Sequence, residues 1–182
     1  MEHCELYKDP AGVLEKAGEQ AQYEAELRHL VLELKCQETE YVVRLKQITS
    51  PERWPAVFES ILADAKRPAD RMQLYHLDGL YSELFAGLSR YPYIGTFKSY
   101  EETLRKWNSE QTRKLYIEIL KIEMDRASDR RQYRYIASHL KKLNVYPKGQ
   151  EETKALAAYW YTTHKNRPAM KDELKKAGYL QE

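Results

Sequence analysis

The stretch from Arg126 to Gly178 contains ASDRRQYRYIASHLKKLNVYPKGQEETKALAAYWYTTHKNRPAMKDELKKAG, and its punctuation predicts three consecutive helices. Ser128 and Asp129 open the first, because a short side-chain oxygen accepts hydrogen bonds from the free amides of a helix start. Tyr146-Pro147-Lys148-Gly149 closes it. A second helix is expected from about Glu151 to about His164. The third starts at Asn166-Arg167-Pro168, where proline suits a first turn, and stops at Gly178, which tolerates a left-handed cap. Tyr133, Ile136, Ala137 and Leu140 repeat at three and four residues and give the first of these helices one apolar stripe.

On that first helix the stripe leaves a basic flank. Arg130, Arg134 and Lys141 share one side, with Arg131 and Lys142 beside them and Tyr135 and Tyr146 nearby. Such a flank neutralises phosphates in a salt-dependent way, and tyrosines stack on bases. The competing expectation is a solvated face whose arginines pair with acids on the adjacent helix. The same duller reading applies to Arg167 and Asp172-Glu173, as capping charge and an ion pair.

Upstream, the chain reads as a row of helices. Residues 1 to 12 lack periodicity and are expected as a loose lead-in, with helical pattern from about Val13. Tyr23, Leu27, Leu30, Val31 and Leu34 form a stripe, and Tyr41, Leu45 and Ile48 continue it as a bent helix or a hairpin. Ser50 caps a helix bearing Trp54, Val57, Phe58, Ile61 and Leu62; Arg67-Pro68 begins another with Leu74, Leu77, Tyr81, Leu84 and Leu88. The longest break is Tyr91 to Gly95. A short helix with Tyr100, Leu104 and Trp107 follows, then one capped by Asn108-Ser109. That last helix is apolar around most of its circumference and is expected near the centre.

Fold class follows as all-α: one domain over residues 1–182, an array of about eight antiparallel helices stacked as hairpins in the manner of an α-solenoid. Leu80-Tyr81-Ser82-Glu83-Leu84 is echoed by Leu115-Tyr116-Ile117-Glu118-Ile119 about 35 positions later, the period of a two-helix repeat. Fifteen tyrosines against three phenylalanines suit half-buried seams where a hydroxyl still finds a partner.

Composition narrows the function. No apolar run approaches the roughly 20 residues of a membrane span, and no signal peptide is evident, so a cytoplasmic protein with no membrane partner is expected. Cys4 and Cys36 form no disulfide framework and read as buried small hydrophobes or free thiols. None of His3, His29, His76, His139 and His164 stands in metal-ligand spacing, the acids are spread along helix faces, and no glycine-rich loop cradles phosphate. No catalytic, cofactor or metal site is therefore expected. Charge is uneven: residues 1–125 carry 17 basic and 22 acidic side chains, residues 126–182 carry 13 and 6. A basic end suggests an anionic partner.

Ala127, Ser128, Arg130, Tyr133, Leu140 and Lys142, then Trp160, then Asn166, Arg167, Pro168, Ala169, Met170, Asp172, Glu173 and Leu174 together resemble the C-terminal end of bacterial SWIM zinc-finger proteins. Asp78-Gly79-Leu80-Tyr81-Ser82-Glu83-Leu84-Phe85 is similar to a segment upstream in the same family. The finger itself needs a C-x-C pair and a C-x-H to hold zinc, which Cys4 and Cys36 do not supply. The resemblance implies the helical C-terminal part of a larger protein, or a relative lacking the finger. Two functions are expected in order: a non-enzymatic helical-repeat scaffold that binds a protein partner or neighbouring domain, and a nucleic-acid-binding module using Arg130, Arg131, Arg134, Tyr135, Lys141 and Lys142.

Overall fold

In a computed structural model of the chain, residues 20–180 are described, and within them every regular element is helical. The expected lead-in over residues 1–12 and the pattern at Val13 lie outside these residues. Ten α-helices are present among the described residues, against about eight expected. The chain divides by its contacts into two compact units, Met1–Leu84 and Phe85–Glu182.

In the first unit, α1 (Gln20–Arg28) runs into a π-turn at His29–Glu33. Lys35 then takes a left-handed conformation, φ 57°, which ends the helical run because a side chain in that region disfavours propagation. α2 (Thr39–Ile48) folds back on α1, so the two stripes form a hairpin and not one bent helix. α3 (Trp54–Asp64) starts later than Ser50: the carbonyl of Ser50 accepts from the amides of Arg53 and Trp54, and its hydroxyl bonds Glu52, so Ser50 opens a turn instead of capping the helix. α4 (Pro68–Asp78) has Pro68 in its first turn and Gly79 as a left-handed cap, φ 74°. Tyr23, Leu27, Val31, Val42, Leu45, Val57, Phe58, Ile61 and Leu74 share one buried core. Trp54 completes it and donates its ring N–H to Asp78 at 2.7 Å. Asp78 also pairs with Lys46 at 2.9 Å, which commits it to structure. Cys36 is buried, as the small-hydrophobe reading has it, and Cys4 lies outside the described residues.

α5 (Tyr81–Arg90) carries the boundary between the units. In the second unit, α6 (Ile94–Trp107) is longer than the short helix expected, because the break shrinks to Tyr91–Tyr93 and Ile94 joins the helix as a buried residue. Asn108 caps α7 (Ser109–Arg126) by accepting from the Gln111 amide at 3.0 Å, as its side chain predicts. α7 buries Leu115, Tyr116, Ile119, Leu120 and Met124 and packs on α6 and on α8 (Arg130–Leu140), which gives it the central place its all-round apolarity implied. Asp129 and Gln132 open α8 with a reciprocal capping box.

A 3₁₀ turn at Lys141–Val145 follows α8, then α9 (Gly149–Thr163) and α10 (Pro168–Lys176). The three-helix C-terminal end is therefore formed. Gly149 sits so close to the 3₁₀ turn that a Cβ there would lie 1.7 Å from the Leu143 carbonyl oxygen, so no larger residue fits. Trp160, Met170 and Leu174 are buried. α8 packs on α10 and α9 packs on the 3₁₀ turn. The two halves of the internal echo occupy different places: Tyr81 begins α5, whereas Tyr116 lies inside α7.

Candidate anion-binding surface

Helix α8 presents two polar flanks whose chemistry differs. One faces α10. Arg134 Nε donates to Glu173 Oε2 at 3.0 Å; Arg130 Nη1 donates to Glu173 Oε1 at 2.9 Å and also pairs with Asp172. Residues 130 and 134 are one turn apart, so both guanidinium groups reach the same acid. Hydrogen bonds and charge from Arg134 and Arg130 hold the Glu173 carboxyl below its ordinary range, and Lys176 and Arg130 do the same for Asp172. Lys141 borders the same side, in a hollow shared with Arg134, Ser138, Glu173 and Lys176.

Around this flank, the C-terminal motif residues form a clasp. Arg167 donates to the carbonyls of Met124 at 2.7 Å, Asp125 at 3.0 Å and Ala127 at 3.2 Å, satisfying the open end of α7. The Tyr133 hydroxyl donates to Ala127 O at 3.1 Å. His164 Nε2 lies 3.3 Å from Asp125. The duller expectation for Arg130, Arg134, Arg167, Asp172 and Glu173 is what the structure contains.

The neighbouring flank carries Arg131 and Tyr135, with Lys142 just past the helix end, in the 3₁₀ turn. Four residues from Arg131 return to the same side of a helix, so Arg131 and Tyr135 form a stripe. Arg131 and Tyr135 line a cleft of about 300 Å³ with Glu123, Arg126, Ala127, Gln132 and Ile136. Arg126, which the sequence reading did not single out, closes this cleft from the end of α7. Among the described residues, Arg126, Arg131 and Lys142 form no ion pair. The sequence-predicted surface of Arg130, Arg131, Arg134, Tyr135, Lys141 and Lys142 is thus split between two faces. Spacing separates the two sides but does not say which one meets acids, because the acids that occupy Arg130 and Arg134 lie about 40 residues downstream.

Compared with known protein families, with curated proteins and with solved structures, the chain matches none of them.

Beneath the stripe lies a buried polar row. The Tyr116 hydroxyl meets His139 Nδ1 at 2.5 Å, and Tyr146 donates to Glu101 Oε1 at 2.5 Å. Burial, with Lys142 and Lys98 nearby, lowers the His139 pKa to about 4, so the imidazole is neutral near pH 7. Burial and Glu101 raise both Tyr116 and Tyr146. Tyr146, expected beside the basic face as a stacking ring, is therefore a core residue. Tyr135 instead stands 43% exposed, its ring held edge-on against His139 at a centroid distance of 4.6 Å. Tyr93 is 58% exposed, and burial, with Tyr93 and Glu123, raises the Tyr135 pKa.

Among the described residues, no three His, Cys, Asp or Glu side chains are grouped to hold a metal ion, and no helix is long and apolar enough to cross a membrane.

Proposed function

We propose that the protein is a non-enzymatic helical interaction module whose C-terminal unit is the recognising half and whose partner presents negative charge. The observation that carries this reading is the contrast on α8. Arg130 and Arg134 are engaged by Asp172 and Glu173, while Arg131 and Lys142 on the neighbouring flank, with Arg126, form no ion pair among the described residues. The whole unit favours the same partner: Phe85–Glu182 holds 20 basic and 12 acidic residues, whereas Met1–Leu84 holds 10 and 16.

The scaffold part of the reading, helix pairs stacked as repeats, draws support from contacts between next-but-one helices, α2 with α4 and α8 with α10. The non-enzymatic part draws support from the histidines. His29 pairs with Glu33, His139 with Tyr116 and His164 with Asp125, each in a structural role. Kinship with the C-terminal region of SWIM proteins belongs to the same proposal; Ala127, Arg130, Tyr133, Arg167, Asp172 and Glu173 of that likeness take part here in one clasp.

Retention of the full chain on a polyanion resin tests the reading. The wild type is expected to elute at clearly higher salt than R126E/R131E; equal elution of the two contradicts it.

A further inference from the structure

We propose that the cleft between Arg126, Arg131 and Tyr135 binds a single strand of nucleic acid, with a base stacked on Tyr135 and phosphates on the two guanidinium groups. This inference rests on the interaction-module reading and names its partner.

Three features of the cleft select that partner. First, Arg126 and Arg131 form no ion pair among the described residues, and Arg presents a planar fork that grips a phosphate through two donors. Second, an exposed aromatic ring lies beside them: Tyr135 is fixed edge-on by His139, so the ring is positioned before a ligand arrives. Ala127 and Ile136 supply an apolar floor. A base inside a duplex is already stacked on its neighbours, so a stacking platform of this kind is useful only to an unpaired strand.

Third, the cations continue beyond the cleft. Lys142 and Lys98 both lie near enough to His139 to act on it, and neither pairs with an acid among the described residues. From Arg131 to Leu140 helix α8 rises about 14 Å at roughly 1.5 Å per residue, which is longer than one nucleotide, and Lys142 follows in the 3₁₀ turn. Glu123 stands in the cleft wall. It repels phosphate from that side and offers an acceptor to a base amino group, which orients the strand with its backbone toward Arg126 and Arg131. An acidic peptide satisfies the cations and leaves the Tyr135 ring unused.

Fluorescence anisotropy with labelled oligo(dT), matching duplex DNA and polyglutamate, on the full chain at about 50 mM salt, tests the assignment. The expected result is saturable binding of oligo(dT) that weakens with salt by about 0.7 log units per phosphate contacted and per log unit of salt, with weaker binding of the duplex. Y135A is expected to weaken binding roughly five- to hundredfold, and R126E/R131E at least tenfold. K141E, on the other flank, leaves it within about twofold. Circular dichroism of each variant confirms folding. Absence of oligo(dT) binding, unchanged affinity in R126E/R131E, or duplex bound as tightly as single strand overturns the proposal. Binding of polyglutamate without oligo(dT) also overturns it, and in that case the interaction-module reading stands with an acidic protein as partner.

Discussion

Arg134 and Glu173 meet at 3.0 Å with unequal exposure: the arginine side chain is 67% exposed and the carboxylate 3%. A carboxylate withdrawn this far from solvent needs its hydrogen bonds, and Arg134 and Arg130 supply them across the α8–α10 seam. E173Q and E173A are therefore expected to lower the melting temperature, E173A more, while R131A on the free flank leaves it unchanged. Thermal melts by circular dichroism at pH 7 check both.

The same seam sets an acid limit. Asp172 and Glu173 have folded pKa values depressed by their cationic partners, so the unfolded chain binds their protons more readily. The stability they contribute is present above the unfolded carboxylate values of about 4 and is lost as pH falls through the lower folded values. Melting temperature is expected to drop below about pH 4 in the wild type and to drop less steeply in D172N/E173Q.

His139 acts at milder pH. Its folded pKa of about 4 lies below the unfolded 6.5, so between those values the unfolded state carries the extra proton and stability declines as pH falls. An NMR titration of the ring is expected to show a midpoint near 4 in the folded protein. A midpoint at or above 6.5 contradicts the neutral, Tyr116-bound imidazole.

Arg167 holds three carbonyls at the end of α7 from a position 40 or more residues later in the chain. R167L is expected to cost about 2 kcal/mol, in keeping with hydrogen bonds to a charged donor. R167K keeps the charge and loses the fork, so its melting temperature should fall between those of R167L and the wild type.

Gly149 is required by proximity. A methyl group there would overlap the Leu143 carbonyl, so G149A must push the 3₁₀ turn away from α9. A loss of about 1–3 kcal/mol is expected from the resulting strain, read by chemical denaturation.

Helix identity was legible wherever a local signal fixes it: Asn108, Asp129, Pro68 and Gly178 all act near the places their side chains imply. Ser50 misled because its hydroxyl had a closer competitor in Glu52. The break at Tyr91 was overestimated because Pro92 and Gly95 read as loop, although glycine is tolerated inside a helix whose neighbours, Ile94 and Phe97, are buried. The division of the basic face was not legible. Periodicity places Arg130 and Arg134 on one side and Arg131 and Tyr135 on another, but which side meets acids depends on the packing of α10. Arg126 was missed for a related reason: it belongs to α7 and joins the cleft only through the turn at Ala127.

Paired charge reversal on the two flanks of α8 tests the central claim most directly, with melting temperature and oligo(dT) affinity measured on each variant. R130E/R134E is expected to lower the melting temperature and to leave the affinity of the folded protein within a few-fold. R126E/R131E is expected to leave the melting temperature unchanged and to reduce affinity at least tenfold. The opposite pattern, with binding lost on the α10 side and stability lost on the cleft side, would contradict the division of labour.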